Sequence, residues 1–402
     1  MIKLADVEQA RRALQGVVHY TALEHSETFS KLVHNDVYMK LENLQKTGSF
    51  KVRGAYNKIL SLNESERKKG VIAASAGNHA QGVAFASARA KLDSTIVMPE
   101  GAPLAKIQAT QNYGAKIVLH GETFDEAMSY ARSLQQDTGA TFVHAFDDEQ
   151  IIVGQGTIGL EILQQLPEVE AIVCPIGGGG LISGIAKVVK ERKPSVQIFG
   201  VEAAACPSME QSLQHNQPLK VSLESTIADG IAVKEPGPLT FDIVKQYVDD
   251  IVTVDDLEMA RTMLHLLERS KLLVEGSGAA SLAAMLHEKI PLKEKKIAVI
   301  ISGGNIDIHF VSRIIEHGLV EAGRFAKIST LVTDKPGQLN RLLQIVAKHQ
   351  ANIISIEHNR ISSRVVPGQT EIELSLETRD QQHIETIETE LKKAGYHFSR
   401  KT

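Results

Sequence analysis

Lys51 stands where a strand-like run, residues 37–42, passes through a polar loop into an amphipathic segment that ends near Leu62. A lysine held at such a junction can turn its amine into a cleft. Partly shielded from water and near other positive groups, an amine gives up its proton more readily and attacks carbonyl carbon. Most lysines are solvated surface charges, so Lys51 acquires chemical meaning only beside three small-residue loops elsewhere in the chain.

The first is Ser75-Ala76-Gly77-Asn78-His79, directly after an apolar run. Backbone N–H groups at a helix start hold a carboxylate, and Asn78 has an amide to donate to a phenolic oxygen. Alone, Asn78 would read equally well as a helix N-cap. The second is Gly177-Gly178-Gly179-Gly180-Leu181, after the run 172–176. Consecutive glycines let the backbone wrap an anion while the helix dipole favours its charge. The run lacks the spacer side chains and downstream acid of a dinucleotide site, and its ordering entropy favours phosphate binding over a plain turn. The third, Ser302-Gly303-Gly304-Asn305, closes the run 297–301 with a neutral hydroxyl. A lysine, a phosphate cradle, a carboxylate loop and a neutral hydroxyl together suit pyridoxal 5'-phosphate, which needs a Schiff-base lysine, an anion site and a partner for its ring nitrogen. A serine in that last place leaves the nitrogen largely unprotonated. The ring is then a weaker electron sink, and loss of a β-substituent competes better with transamination.

The elements that must position these groups alternate in type. Short β-branched runs at 71–75, 94–99, 115–119, 170–176, 197–201 and 296–302 are separated by helical stretches of 10–15 residues. This order indicates α/β architecture with parallel sheets covered on both faces, and a cleft at the carboxyl ends of the strands. We expect a core over residues 1–320, with a smaller α/β unit of about 48–150 inserted in a larger one. From residue 326 to 402 the order changes to βαββαβ, which fits a ferredoxin-like α+β module.

At 402 residues the chain exceeds one hydrophobic core. Its 43% hydrophobic and 23% charged content is ordinary for a globular protein, and a net charge of -4 gives no footprint for nucleic acid or anionic membrane. No apolar run reaches the ~20 residues of a membrane span, and the first residues lack a signal-peptide layout, so a cytoplasmic protein is expected. Two cysteines, Cys174 and Cys206, make no disulfide framework.

The runs 46–55, 75–82, 177–181 and 301–307, with support at 154–159, 228–230 and 274–278, resemble the threonine dehydratase (threonine ammonia-lyase) group. This is the tryptophan-synthase-β-like, fold-type II set of pyridoxal phosphate enzymes. The tail, with its Thr333–Leu339 turn, resembles an ACT domain. The resemblance implies that Lys51 is the Schiff-base lysine and the base for the Cα proton, and that Phe50 packs beside the cofactor. It implies that Asn78 meets the cofactor's 3-oxygen, Gly177, Gly178, Gly179, Gly180 and Leu181 hold the phosphate, and Ser302 faces the ring nitrogen. Ser75, Ala76, Gly77 and His79 would receive the substrate carboxylate. The implied reaction turns L-threonine into 2-oxobutanoate and ammonia, with L-serine to pyruvate as a side activity. In the tail, Asp334, Pro336, Gly337 and Asn352 border an expected amino-acid effector pocket, and a homodimer or homotetramer is expected.

Three alternatives stand beside this reading. Serine racemases share most motifs but carry a serine where this chain has Ala76, which cannot transfer a proton. Hydroxyaspartate ammonia-lyase belongs to the same family. A non-enzymatic amino-acid sensor would use the tail alone, against which the intact Lys51 and its three loops argue. Glu202 falls where related racemases gather a divalent cation, but Ser208 replaces the carboxylate expected six residues on, and no metal is predicted.

Overall fold

The β-branched runs pair as parallel strands because both of their faces are apolar and need helices above and below. The computed structural model describes residues 2–361 and 365–401, and the chain divides into two compact units, Met1–Asp307 and Ile308–Thr402. In the first unit, a six-stranded sheet runs in the order Leu23–His25, Asp36–Leu41, Lys296–Ile301, Ala171–Pro175, Gln197–Ala203, Asp250–Val254. All neighbours are parallel except the first pair. A second sheet of four parallel strands runs Lys116–Leu119, Ser94–Met98, Val71–Ala74, Thr141–Phe142.

The strand order decides which loops meet. Lys296–Ile301 lies between Asp36–Leu41 and Ala171–Pro175, with Ile301 opposite Leu41. The lysine loop, the Ser302 loop and the tetraglycine loop therefore leave three adjacent strands at their carboxyl ends, roughly 5 Å apart per strand. The Ser75 loop leaves Val71–Ala74 of the smaller sheet. The core around the larger sheet is built from Ile172, Cys174, Ile176, Ile185, Ile198 and Ile300, among others. A separate cluster including Val71, Ala73, Ile96 and Met98 fills one face of the smaller sheet.

Two helices sit closer than side chains would allow. The Gly154–Gly159 run lies inside the buried helix Glu149–Gln165, which crosses Gly180–Arg192 and Lys51–Leu60. A β-carbon on Gly154 would stand 2.6 Å from the Arg53 carbonyl oxygen, and one on Gly184 would stand 2.4 Å from that of Ile152. Backbone meets backbone here, which fixes the helix that begins at Lys51.

The second unit has an antiparallel sheet ordered Asn352–Asn359, Gln369–Glu377, Phe325–Thr333, Phe398–Arg400. Helices Gln338–Lys348 and Gln381–Lys393 cover it, so the βαββαβ order read from the sequence is present. The last strand starts at Phe398, three residues after Gly395, where the sequence reading begins it. Gly395, at φ +83°, and the Tyr396 N–H, bonded back to Leu391, still belong to the preceding helix terminus. Helix Ile308–Glu321, unread in the sequence, precedes the sheet. Among the described residues no helix is long and apolar enough to cross a membrane, and both cysteines are free and buried.

Candidate active site

The loop before Lys51 is pinned where it meets the helix. The Phe50 N–H donates to the Ser302 carbonyl at 3.2 Å, and Ser49 bridges to Gly303. Two residues beyond Lys51, the buried Arg53 guanidinium reaches Glu42 and Glu161, and Glu161 also accepts from Lys40 Nζ at 2.6 Å. Burial alone would raise the Glu42 carboxyl, but Arg53 holds it below the usual carboxylate range.

Lys51 is half-buried, and its Nζ donates to the Ala145 carbonyl at 3.0 Å. The amine stands 5.3 Å from the Phe50 ring centre. Burial lowers its pKa to about 8, against the opposing charge of Glu275. The sequence reading invoked shielding from water together with positive neighbours; desolvation acts here, but the charged neighbour is a carboxylate, which opposes the effect.

The segment that receives the Lys51 proton donor also walls the glycine loop. A β-carbon on Gly178 would fall 2.3 Å from the Phe146 ring, and one on Gly180 would fall 2.9 Å from the Phe146 Cα. Gly179, at φ +91°, faces Met209 and Thr240, and Gly177 faces Ile231. Thr240 Oγ1 donates to the Gly178 carbonyl at 2.6 Å. Leu181 is 5% exposed with its side chain in the core, so only its backbone is left for an anion at the start of helix Gly180–Arg192.

In the third segment, Ser75, Ala76, Gly77 and Asn78 are half-buried ahead of helix Asn78–Ala90, and a β-carbon on Gly77 would meet nothing within 4 Å. His79 is different. It is buried, and its Nε2 lies 2.9 Å from the Val143 carbonyl, which can only accept, so the proton resides on Nε2. Burial and then the Lys51 charge press its pKa down to about 3. Its ring is a neutral structural donor, and only its backbone N–H faces the loop's task. Ser302 is 3% exposed, with Oγ donating to the Ser277 carbonyl at 3.4 Å.

Residues without an assigned role in the sequence join these loops. Asn78 Nδ2 donates to Glu275 Oε1 at 2.6 Å, and Asn305 Nδ2 donates to Asn78 Oδ1 at 2.7 Å and to the Thr47 carbonyl at 2.6 Å. Burial, and then the charge of Asp229, raise the Glu275 carboxyl to about 7. Glu275 lies inside the run 274–278, so the signal was a motif, but its partner is 197 residues away.

Glu202 accepts the Met209 and Glu210 backbone N–H groups, each at 2.8 Å, while Ser208 Oγ donates to the Val233 carbonyl. Both carboxylate oxygens therefore serve the start of helix Ser208–His215. In the second unit, Asp334, Pro336 and Gly337 line a cavity of about 310 Å³ with His358 and Arg360. Asn352 is not part of it. It opens its strand at the other end and bonds Glu377 at 3.1 Å.

The residues present fit pyridoxal phosphate. Bare backbone runs through Gly178–Gly180, where β-carbons would collide with Phe146, Met209 and Thr240, an amine of lowered basicity adjoins that wall, and a buried neutral hydroxyl follows the next strand. Residues 14–303 match the family model of the pyridoxal-phosphate dependent enzymes, and residues 327–395 match the ACT domain. The chain is 52% identical, over 98% of both chains, to the L-threonine ammonia-lyase of Thermotoga maritima. A solved threonine deaminase isoform 2 from Solanum lycopersicum superposes with a TM-score of 0.74 at 38% identity, covering 78% of this chain and 92% of that one. Maize serine racemase gives 0.75 at 34% identity, covering 80% and 98%. An amine-bearing loop, a glycine cradle and a neutral hydroxyl on three neighbouring strands, with these likenesses, make the chain a member of the pyridoxal-phosphate dependent enzyme family that carries a C-terminal ACT domain.

Proposed function

We propose that the protein dehydrates and deaminates L-threonine to 2-oxobutanoate and ammonia, and converts L-serine to pyruvate as a side activity. The observation that carries this is the Lys51 amine, lowered to about pKa 8 and tied to the residue next to the glycine cradle's wall. Pyridoxal phosphate, when bound, supplies the electron sink that acidifies the amino acid's Cα–H. Gly177–Gly180 and the Leu181 N–H hold its phosphate, Asn78 donates to its 3-oxygen, Ser302 faces its ring nitrogen, and Phe50 packs beside it. The backbone of Ser75–His79 orients the substrate carboxylate. Lys51 Nζ, partly neutral near pH 8, takes the Cα proton. Ala76 offers no hydroxyl on the opposite side, which favours elimination over racemisation. The 52% identity to an L-threonine ammonia-lyase supports threonine as the substrate.

Replacing Lys51 with Ala tests the reading. It is expected to lower 2-oxobutanoate formation from L-threonine by several orders of magnitude. Retention of a tenth of the activity sinks it. Residues 326–402 would form the regulatory part beside a core over 1–320, in a homodimer or homotetramer. Its cavity, at Asp334, Pro336 and Gly337, would take an amino-acid effector such as isoleucine or valine. Calorimetry of the full-length protein with these amino acids checks this, and absence of both binding heat and any shift in the threonine saturation curve removes it.

A further inference from the structure

The chain Thr47–Asn305–Asn78–Glu275 has acceptors at both ends. The Thr47 carbonyl can only accept, so Asn305 must turn its Nδ2 toward it, at 2.6 Å. That same nitrogen donates at 2.7 Å to Asn78, which fixes the Asn78 oxygen on this side. The Asn78 Nδ2 is thereby left facing Glu275 Oε1 at 2.6 Å. This geometry is satisfied when Glu275 is an acceptor. Of the Asn78 donor capacity, one N–H is spent on the carboxylate and one remains.

We propose that Glu275 is a positioning residue, whose ionised carboxylate locks the Asn78 amide with its remaining N–H directed to the cofactor ring. The inference rests on the reading of the site given above. A protonated Glu275 still accepts through its carbonyl oxygen, but this neutral acceptor holds the Asn78 N–H roughly half as strongly as the carboxylate does. Turning the amide over does not restore order, because Asn305 would then meet Asn78 donor to donor. The strength with which Glu275 holds the orientation that Asn305 sets is therefore coupled to one proton. The groups that set it are all in place. Glu275 is 6% exposed, Asp229 stands near it and disfavours its charge, and Lys106 and Lys51 oppose that effect. Gly303 leaves space for this carboxylate, since a β-carbon there would lie 2.2 Å from Glu275 Oε1.

The test uses the holoenzyme, read by its visible cofactor absorption and by kcat/KM for L-threonine between pH 6 and 8.5. In the unsubstituted protein both readouts are expected to pass through a common transition centred near pH 7. Glu275→Gln should abolish that transition in both, and lower kcat/KM about ten- to a hundredfold, the range for partners that orient a ligating group. Glu275→Asp should keep a transition. Asn305→Ala frees the Asn78 amide from the other end. It should shift the absorption while retaining Glu275, which keeps the test open if Glu275→Gln does not fold. A Glu275→Gln protein with unchanged transition and rate overturns the proposal, as does an Asn305→Ala protein with unchanged absorption. Failure of the underlying reading looks different: the unsubstituted protein then shows no cofactor absorption or releases no ammonia from threonine.

Discussion

Arg53 and Glu42 meet through two hydrogen bonds, Nε to Oε2 at 2.9 Å and Nη2 to Oε1 at 2.7 Å. The fork closes the segment that presents Lys51, since Glu42 directly follows the preceding strand and Arg53 lies in the first turn of the helix. Glu161 takes the remaining guanidinium face and Lys40 completes a buried set with two charges of each sign. Such a set contributes little net stability but is costly to break, because any member left behind is an uncompensated buried charge.

Arg53→Met should therefore destabilise the protein by about 3–5 kcal/mol, the cost of orphaning a buried partner. Arg53→Lys should recover part of this, since an ammonium cannot reproduce the two-pronged contact. Urea unfolding of the three proteins measures the differences. An Arg53→Met midpoint equal to that of the parent would remove Arg53 from the account of how Lys51 is placed.

The lowered basicity of Lys51 has a direct chemical readout. In cofactor-free protein, acylation of Lys51 by an amine-directed reagent should accelerate as pH rises and level off above about 8, where the amine is mostly neutral. An ordinary exposed lysine keeps accelerating toward about 10.4. Peptide mass spectrometry across pH 6–10 follows each lysine separately. A Lys51 profile that climbs with the exposed lysines contradicts the desolvation argument.

The glycine cradle separates two kinds of obstruction. Gly178→Ala places a methyl in the Phe146 ring, and Gly180→Ala places one against the Phe146 backbone. Each should weaken cofactor binding by roughly 1–3 kcal/mol, the usual cost of overpacking, or about five- to a hundred-and-fifty-fold in Kd. Adding Phe146→Leu should restore binding in the Gly178→Ala protein only. Equal rescue of both, measured by equilibrium dialysis, would show that the ring is not what the glycine makes room for.

The parts of the site that could be read from the chain alone share a local signal. Ser75–His79, Gly177–Leu181 and Ser302 each follow an apolar run directly, and Lys51 follows one across a short polar loop, so composition and short-range order marked them as lying at strand ends. The tail's βαββαβ order was legible for the same reason, because each turn and helix carries its own pattern over ten residues or so. What these residues do with one another is a different matter. That Lys296–Ile301 inserts between Asp36–Leu41 and Ala171–Pro175 brings three of the loops side by side, and no local pattern encodes a strand order. Pairing of Asn78 with Glu275, of Lys51 with Ala145 and of Arg53 with Glu161 joins positions 94 to 197 residues apart. The sequence by itself determined which residues could do chemistry. Only the tertiary structure decided that His79 is committed to Val143, that Asn352 lies away from the tail's cavity, and that the charge facing the buried Lys51 amine is the Glu275 carboxylate, because desolvation and partner choice arise when distant segments exclude water together.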